Sequence, residues 1–329
     1  MKFPANIGNT TEKAAFQTAD LLWQDAAGMV EQLIAAPEEN CVYAILKSGV
    51  SGNAVVAVRN ADGAIVWSYH LWVADFDPDA NIMTWTDTES GASYKIMDRY
   101  VGAVSNQPGS DLSNGLFYQW GRKDPFGTSN YEGKLKAMYD MAGEEVTRTV
   151  EACAAEDNIP NSIANPLTHY SGVSGGNYSW LTTVKANIAT DAIKDLWGAE
   201  SGTQTKYDPC PAGWRVAPQA AWKFYNDAAV TKEIVFAAGV ESPANKDQLG
   251  RYISTDGATK FYFPSQGEIA HGGSYSNGIG TKYPCGKAWS STVDATYFRS
   301  FGTTVSPTSA GYTGGYTQGY ELPVRCVKL

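Results

Sequence analysis

The sequence predicts an α+β chain in two domains, and three observations carry that expectation. At 329 residues the chain exceeds a typical single domain. Its first part holds three β-rich runs, 41–46, 53–58 and 64–73, and the Asp62-Gly63 pair between the last two is a hairpin signal. The remainder mixes short strand-like runs with two stretches that read as helical, 134–155 and 188–197. The expected layout is a small antiparallel β domain of sandwich type over residues 1–78, followed by a larger domain over 79–329 with an insertion at about 127–206.

Composition narrows the function classes. With 43% hydrophobic residues the chain can bury an ample core and is not disordered. A net charge of −9 without any basic run argues against nucleic acid as a partner. No window approaches the length of apolar residues that a transmembrane helix needs, so no membrane insertion is expected. The first residues, MKFPANIG, carry no apolar run of signal-peptide length. Expected places are therefore a virion tail tip, or an extracellular cell surface reached through a leader that this chain does not show.

In chain order, 14–36 reads as helix or as strand with turns. In the third β-rich run Trp67, Tyr69 and Leu71 alternate with Ser68, His70 and Trp72, which puts His70 on the face opposite Trp67; a lone histidine on a strand is read as structural. Asp75, Asp77 and Asp79 have calcium-loop spacing, but Ala80 and Thr86 stand where such a loop needs Gly and a bidentate Glu, so the segment reads as an acidic linker and no metal is expected. Around 115–120 a short strand is expected, with Gln119 and Arg122 buried and paired. After Asp208-Pro-Cys-Pro-Ala-Gly-Trp-Arg-Val216, Pro218 suits a first helical turn with Trp222 and Tyr225 on one face. Short strands at 261–264, 288–291 and 323–327 close the chain, and Trp214, Trp289 and the last strand are expected to be buried together.

The five cysteines, 41, 153, 210, 285 and 326, show no zinc spacing. Cys210 and Cys326 each sit in a stiff motif and are the candidates for a structural disulfide in an oxidising compartment. Buried free thiols acting as small hydrophobes are the other reading.

Residues 293–320 stand apart. They carry five glycines and the tyrosines Tyr297, Tyr312, Tyr316 and Tyr320 interleaved with Ser and Thr. Rigid amphipathic rings among small hydrogen-bonders suit a binding loop, and the same mixture describes an ordinary glycine-rich β-loop. Residue usage favours the first without closing the second. Lys, Glu, Gln, Met and Trp make up 58 of the 329 residues, yet the 28 residues of 293–320 hold one of them, Gln318. Those five amino acids are the ones an Asn codon cannot reach when only its adenines change, which points to diversification by an adenine-mutating retroelement. A lysine-poor loop of Gly and Tyr would show the same deficit.

The motifs MDRYVGA (97–103), GLFYQWGRKDPF (115–126), DPCPAGWRV (208–216), AWSST (288–292) and PVRCVK (323–328) together resemble the C-type-lectin-like paralogous domain of Bacteroidetes surface and fimbria-associated proteins, related to the formylglycine-generating-enzyme fold. The β-rich stretch before them resembles the small Ig-like β domain that precedes it there. The resemblance covers about 83–329 and implies that the segment between WSST and PVRC, 288–320 here, lies on the outer face and binds ligand. That segment is often Asn-rich in the family; 293–320 here contains no Asn, as adenine mutagenesis of such a template would leave it.

The expected function is a ligand- or receptor-binding protein with a diversified surface, with a fixed-sequence adhesin or fimbrial tip subunit as the alternative. An oxidase of the formylglycine-generating type is disfavoured. Cys210 and Cys326 look structural, Cys285 beside Lys287 has no resolving partner in sequence, and the spacing of His271 and Asp294 demands no acid/base pair. The expected ligand contacts are Asp294, Tyr297, Arg299, Phe301, Tyr312, Thr313, Tyr316 and Tyr320, aromatic and guanidinium groups leading. No catalytic residue, cofactor or metal is expected. The expected partner is a host or bacterial surface protein or glycan, with assembly into a tail or fimbria through the N-terminal part.

Overall fold

A computed structural model describes residues 1–239, 247–277, 286–294, 296, 299–305 and 310–329. Strands take up 40% of it and helices 11%, which makes the chain all-β and overturns the α+β expectation. The α-helices among the described residues are two short ones, Ile159–Ala164 and Asp191–Lys194. Where 134–155 reads as helical, the chain forms the strands Met138–Tyr139, Glu145–Val146 and Thr149–Ala152. The physical reason is turn chemistry. Asp140 Oδ1 accepts from the backbone N–H groups of Ala142 and Glu144, and Gly143 takes a φ of 85°, which closes a tight hairpin inside the apparent helix. In 188–197, a 3-10 turn Lys185–Ala189 and the single turn Asp191–Lys194 stand in place of one helix. The 14–36 stretch resolves into the strands Thr18–Gln24 and Val30–Ala36.

The three β-rich runs are strands, and they build two packed sheets. Cys41–Leu46 lies between Lys2–Pro4 and Val30–Ala36. Gly52–Arg59 lies between Thr18–Gln24 and Ile65–Val73 in a five-stranded sheet, which Met138–Tyr139 and Glu145–Val146 complete. Val42 and Ala44 from one sheet meet Val58, Trp67, Ala54, Val56 and Leu71 from the other. The opposite face of Gly52–Arg59 is also covered, because Val55 joins the largest hydrophobic cluster with Met97, Leu116 and Trp120. A sheet and a core thus both cross residue 78. His70 sits at this seam, bonded through Nε2 to Asn53 Oδ1 at 2.9 Å, while Asn53 donates to the Gly102 carbonyl; burial pushes the imidazole down to about 3, so it is neutral and structural.

Five further sheets make the rest of the described residues' strand structure. Arg325–Lys328 pairs with both Trp214–Val216 and Ser93–Tyr100, and Glu321–Pro323 with Phe117–Gln119 and Glu268–Ile269, so the end of the chain is central. Trp214, Trp289, Leu322 and Cys326 share one cluster, as expected from the sequence. Gln119 and Arg122 are buried and paired, Arg122 Nη1 to Gln119 Oε1 at 3.1 Å, with three backbone carbonyls accepting the remaining guanidinium bonds. Pro218 caps the 3-10 helix Gln219–Asn226, where Trp222 and Tyr225 stack, buried, at 6.1 Å. Asp79 of the acidic linker pairs with Lys328. Among the described residues no helix is long and apolar enough to cross a membrane.

Cys210 and Cys326 form a disulfide 116 residues apart in sequence, beside the Val216–Cys326 strand pair. Replacing both with Ala is expected to cost about 2–5 kcal/mol, because a long loop is freed in the unfolded chain. This is read as a lower urea midpoint, which added reductant should reproduce in the wild type.

Asp208, at the head of the same motif, accepts from the backbone N–H groups of Cys210 (2.8 Å) and Val216 (2.9 Å), yet burial pushes its carboxyl up to about 7. The folded state keeps this proton up to about 7, whereas an unfolded Asp loses it near 3.9. The stabilisation is therefore full below about pH 3.9 and is lost as pH rises through about 7. Asp208→Asn is expected to flatten the fall of the thermal midpoint across that window; an unchanged slope would show that Asp208 is ionised throughout.

Candidate functional site

The segment singled out by composition folds as three antiparallel strands, Gly286–Asp294, Arg299–Val305 and Ala310–Tyr316. The first is fixed on both sides. Trp289 donates its indole N–H to the Tyr118 carbonyl (2.8 Å), Trp120 donates to the Ser290 carbonyl (2.9 Å), and Ser291 N–H donates to the Ala217 carbonyl (3.0 Å). Ala288 through Ser291 are buried, as apolar and small residues bonded from both sides must be. Outward from that base, Trp289 pairs with Gly302 and Gly302 with Gly314. Tyr316 lies flat across these two glycines: a Cβ at Gly302 or Gly314 would approach its ring to 2.8 or 2.9 Å. Its ring meets Trp289 edge-on at 6.1 Å and carries the Lys287 ammonium 4.7 Å above its centre, while Lys287 pairs with Glu268.

The expected contact residues do not gather at one point. Tyr297 lies outside the described residues; Arg299, Phe301 and Thr313 sit on the second and third strands, with side chains outside what is described. Asp294 ends the first strand and accepts from the Thr296 N–H at 2.9 Å, a turn-holding role. Tyr312, half-buried, lines a cleft of about 350 Å³ with Trp85, Asp87, Lys223 and Asp227. There the Lys223 ammonium, 3.0 Å from Asp87, holds that carboxyl low, and the Trp85 indole N–H does the same for Asp227. Tyr316 and Tyr320 belong to a different place, with ring centres 6.0 Å apart.

That second place includes two residues outside the expected contacts: Tyr178, which sequence reading missed, and His271, which it weighed only as an acid/base partner of Asp294. Tyr320 meets His271 at 5.8 Å, and His271 stacks on Tyr178 at 4.6 Å, giving a row of four rings, Tyr178, His271, Tyr320 and Tyr316. Tyr178 comes from the insertion and is 40% exposed. Asn177 and Tyr178 both take left-handed backbone conformations, φ 52° and 57°, which Asn tolerates as a helix cap and which costs a tyrosine about 1–2 kcal/mol. The Gly319 N–H donates to the Tyr178 carbonyl at 3.0 Å, tying the insertion to the end of the displayed segment. Beneath the row, buried Glu321 takes both oxygens to Arg148 Nη1 at 3.0 Å and meets His169 Nδ1, whose other nitrogen faces the His271 carbonyl. The local signal for Tyr178 is only the loop composition Ser-Gly-Gly-Asn; its contacts lie far along the chain.

Among the described residues no three His, Cys, Asp or Glu side chains gather as a metal site. Cys41 and Cys153 are buried, and burial pushes the Cys153 thiol up, away from the thiolate that reactivity needs. Cys285 lies outside the described residues. Comparison with known protein families, with curated proteins and with solved structures finds no match.

The two half-buried tyrosines of the third strand should respond differently to truncation. Tyr316→Ala removes a ring packed on Trp289 and two glycines and is expected to cost about 2–3 kcal/mol, whereas Tyr312→Ala, at a cleft wall, should cost about 1 kcal/mol. Urea unfolding of the two variants measures this; equal costs would mean that Tyr316 is a surface residue.

Proposed function

We propose that the chain is a ligand- or receptor-binding protein which presents 293–320 as a displayed surface on a rigid β scaffold. The observation that carries this is the division within one sheet: its first strand is buried and bonded from both sides, while half-buried Tyr312, Tyr316 and Tyr320 follow in the outer strand and its exit. Such a base fixes the first strand through bonds that the side chains of the outer strands do not make. The near-absence of Lys, Glu, Gln, Met and Trp from 293–320, and the ordered motifs that resemble the C-type-lectin-like surface-protein family, support retroelement diversification. The partner we propose is a host or bacterial surface protein or glycan, met at a virion tail tip or an outer cell surface. Binding is favoured over catalysis because the described free thiols, Cys41 and Cys153, are buried, away from the accessible setting that a nucleophile needs.

A second reading, a fixed adhesin, has an observation of its own. Gly302, Gly314 and Tyr316 depend on one another sterically, and a freely varied segment would not preserve such a triplet. The two readings separate by exchange. Grafting 293–320 from a sequence variant onto this scaffold is expected to leave the fold intact and change which host surface is bound. Unchanged preference would place the site elsewhere, and DNA downstream lacking both a near-copy of these codons and a reverse transcriptase would favour the adhesin.

A further inference from the structure

Tyr178 is the anomaly of the insertion. It adopts a left-handed backbone that a tyrosine resists, next to Asn177 which does the same. Two glycines make room for this arrangement: a Cβ at Gly172 would lie 2.0 Å from the Tyr178 carbonyl carbon, and one at Gly319 2.5 Å from its carbonyl oxygen. The ring so positioned is 40% exposed, so the strain is not offset by burying it. The left-handed pair closes the 3-10 turn Ser174–Gly176, where the Asn177 N–H donates to the Ser174 carbonyl (3.1 Å) and the Tyr178 N–H to the Val173 carbonyl (2.9 Å), and it leaves the Tyr178 ring partly exposed, in the kind of conformation that gathers at functional sites. The conformation also places the Tyr178 ring against His271 at 4.6 Å and a 34° tilt; His271 meets Tyr320 edge-on at 5.8 Å, and Tyr320 in turn meets Tyr316 at 6.0 Å and 57°.

The chemistry of the row limits its ligand. The charged groups under and beside it are matched internally, Glu321 by Arg148 and Glu268 by Lys287, so the row offers no net charge to an ionic group. The chain's net charge of −9 further opposes a polyanion. Rings with polar tips, apolar on their faces and wet at their ends, are what the row presents. A neutral sugar ring complements that pattern, since its C–H face stacks on aromatic faces while its hydroxyl rim bonds to phenol and imidazole. A row of successive rings suits a chain of such units.

We propose that Tyr178 and His271 form a fixed stacking platform for a neutral saccharide chain, which Tyr320 extends. The platform rests on the displayed-surface reading only for that last residue. It predicts that part of the recognition surface lies outside 293–320 and stays constant when that segment changes.

The test uses the full chain and neutral hexasaccharides of glucose (β-1,4 and α-1,4), xylose, mannose and N-acetylglucosamine, titrated calorimetrically. At least one is expected to bind at millimolar strength or better. Tyr178→Gly keeps the left-handed backbone and removes only the ring; it should weaken binding about tenfold or more while leaving the thermal midpoint level or higher. Tyr178→Phe should retain binding within about threefold, because the stacking face is kept. If exchanging 293–320 changes no binding preference but Tyr178→Gly still abolishes binding, the displayed-surface reading fails and the platform stands. Absence of binding to every hexasaccharide, equal binding by Tyr178→Gly, or loss of the fold in Tyr178→Gly with Tyr178→Phe intact would each overturn the platform.

Discussion

Three buried indoles hold the parts of this protein together. Trp180 of the insertion donates its N–H to the carbonyl of Trp120 at 2.7 Å, Trp120 donates to Ser290, and Trp289 donates back to Tyr118. Each indole buries a large apolar surface, and each would leave a costly unpaired donor if its partner moved. The consequence is a relay that fixes the insertion, the short strand Phe117–Gln119 and the base of the displayed sheet relative to one another. Leu322, Val324 and Cys326 pack in the same cluster, so the last strands, which pair with early and late segments alike, close the relay. The outer strands of this sheet can be rich in glycine and threonine because their position is set at this base.

The relay also explains which parts of the fold were legible in the sequence. Gln119 and Arg122 could be read as a buried pair because polar residues inside a run of aromatics have few other ways to be satisfied. Trp214 and Trp289 could be read as core for the same reason that strands favour aromatics. The hairpin at Asp62-Gly63 was a local signal and is present, with Gly63 at φ 80°. The helices failed because 134–155 has helix-favouring composition, while a local device, Asp140 capping the turn at Gly143, decides otherwise and delivers Met138–Tyr139 to the edge of a distant sheet. The five-stranded sheet so completed takes three strands from before residue 78 and two from after it, so a boundary read from composition there has no counterpart in the packing of Val55 against Met97 and Leu116.

The candidate site was legible in half. Residue usage picked out 293–320, and the motifs on either side identified the strands that frame it. Hidden from sequence was the sorting of its tyrosines: Tyr312 to the cleft of Trp85 and Asp227, Tyr316 to a bed of two glycines, Tyr320 to His271. Each assignment depends on a bulge or a long-range ring contact, and register irregularities at Trp289/Val293 and Gly302/Thr304 shift which face a residue takes. Tyr178 was hidden more deeply, since a positive φ at a tyrosine has no sequence signature.

The packing of Tyr316 sets a limit on how far such a surface can vary. Gly302 and Gly314 admit no Cβ beneath that ring, so variation at either would clash with it. A glycine codon begins with two guanines, and adenine-directed change leaves those untouched, so both positions are protected if the template already encodes glycine. A tyrosine codon carries an adenine in its middle position and has no such protection. Variation of that kind would spare the bed and expose the ring, and a smaller residue at 316 would uncover the flank of Trp289 rather than disturb the indole's bond to Tyr118. On the diversified reading we propose, the sheet's position would depend on residues that variation spares, and the chemistry it shows on residues that variation reaches.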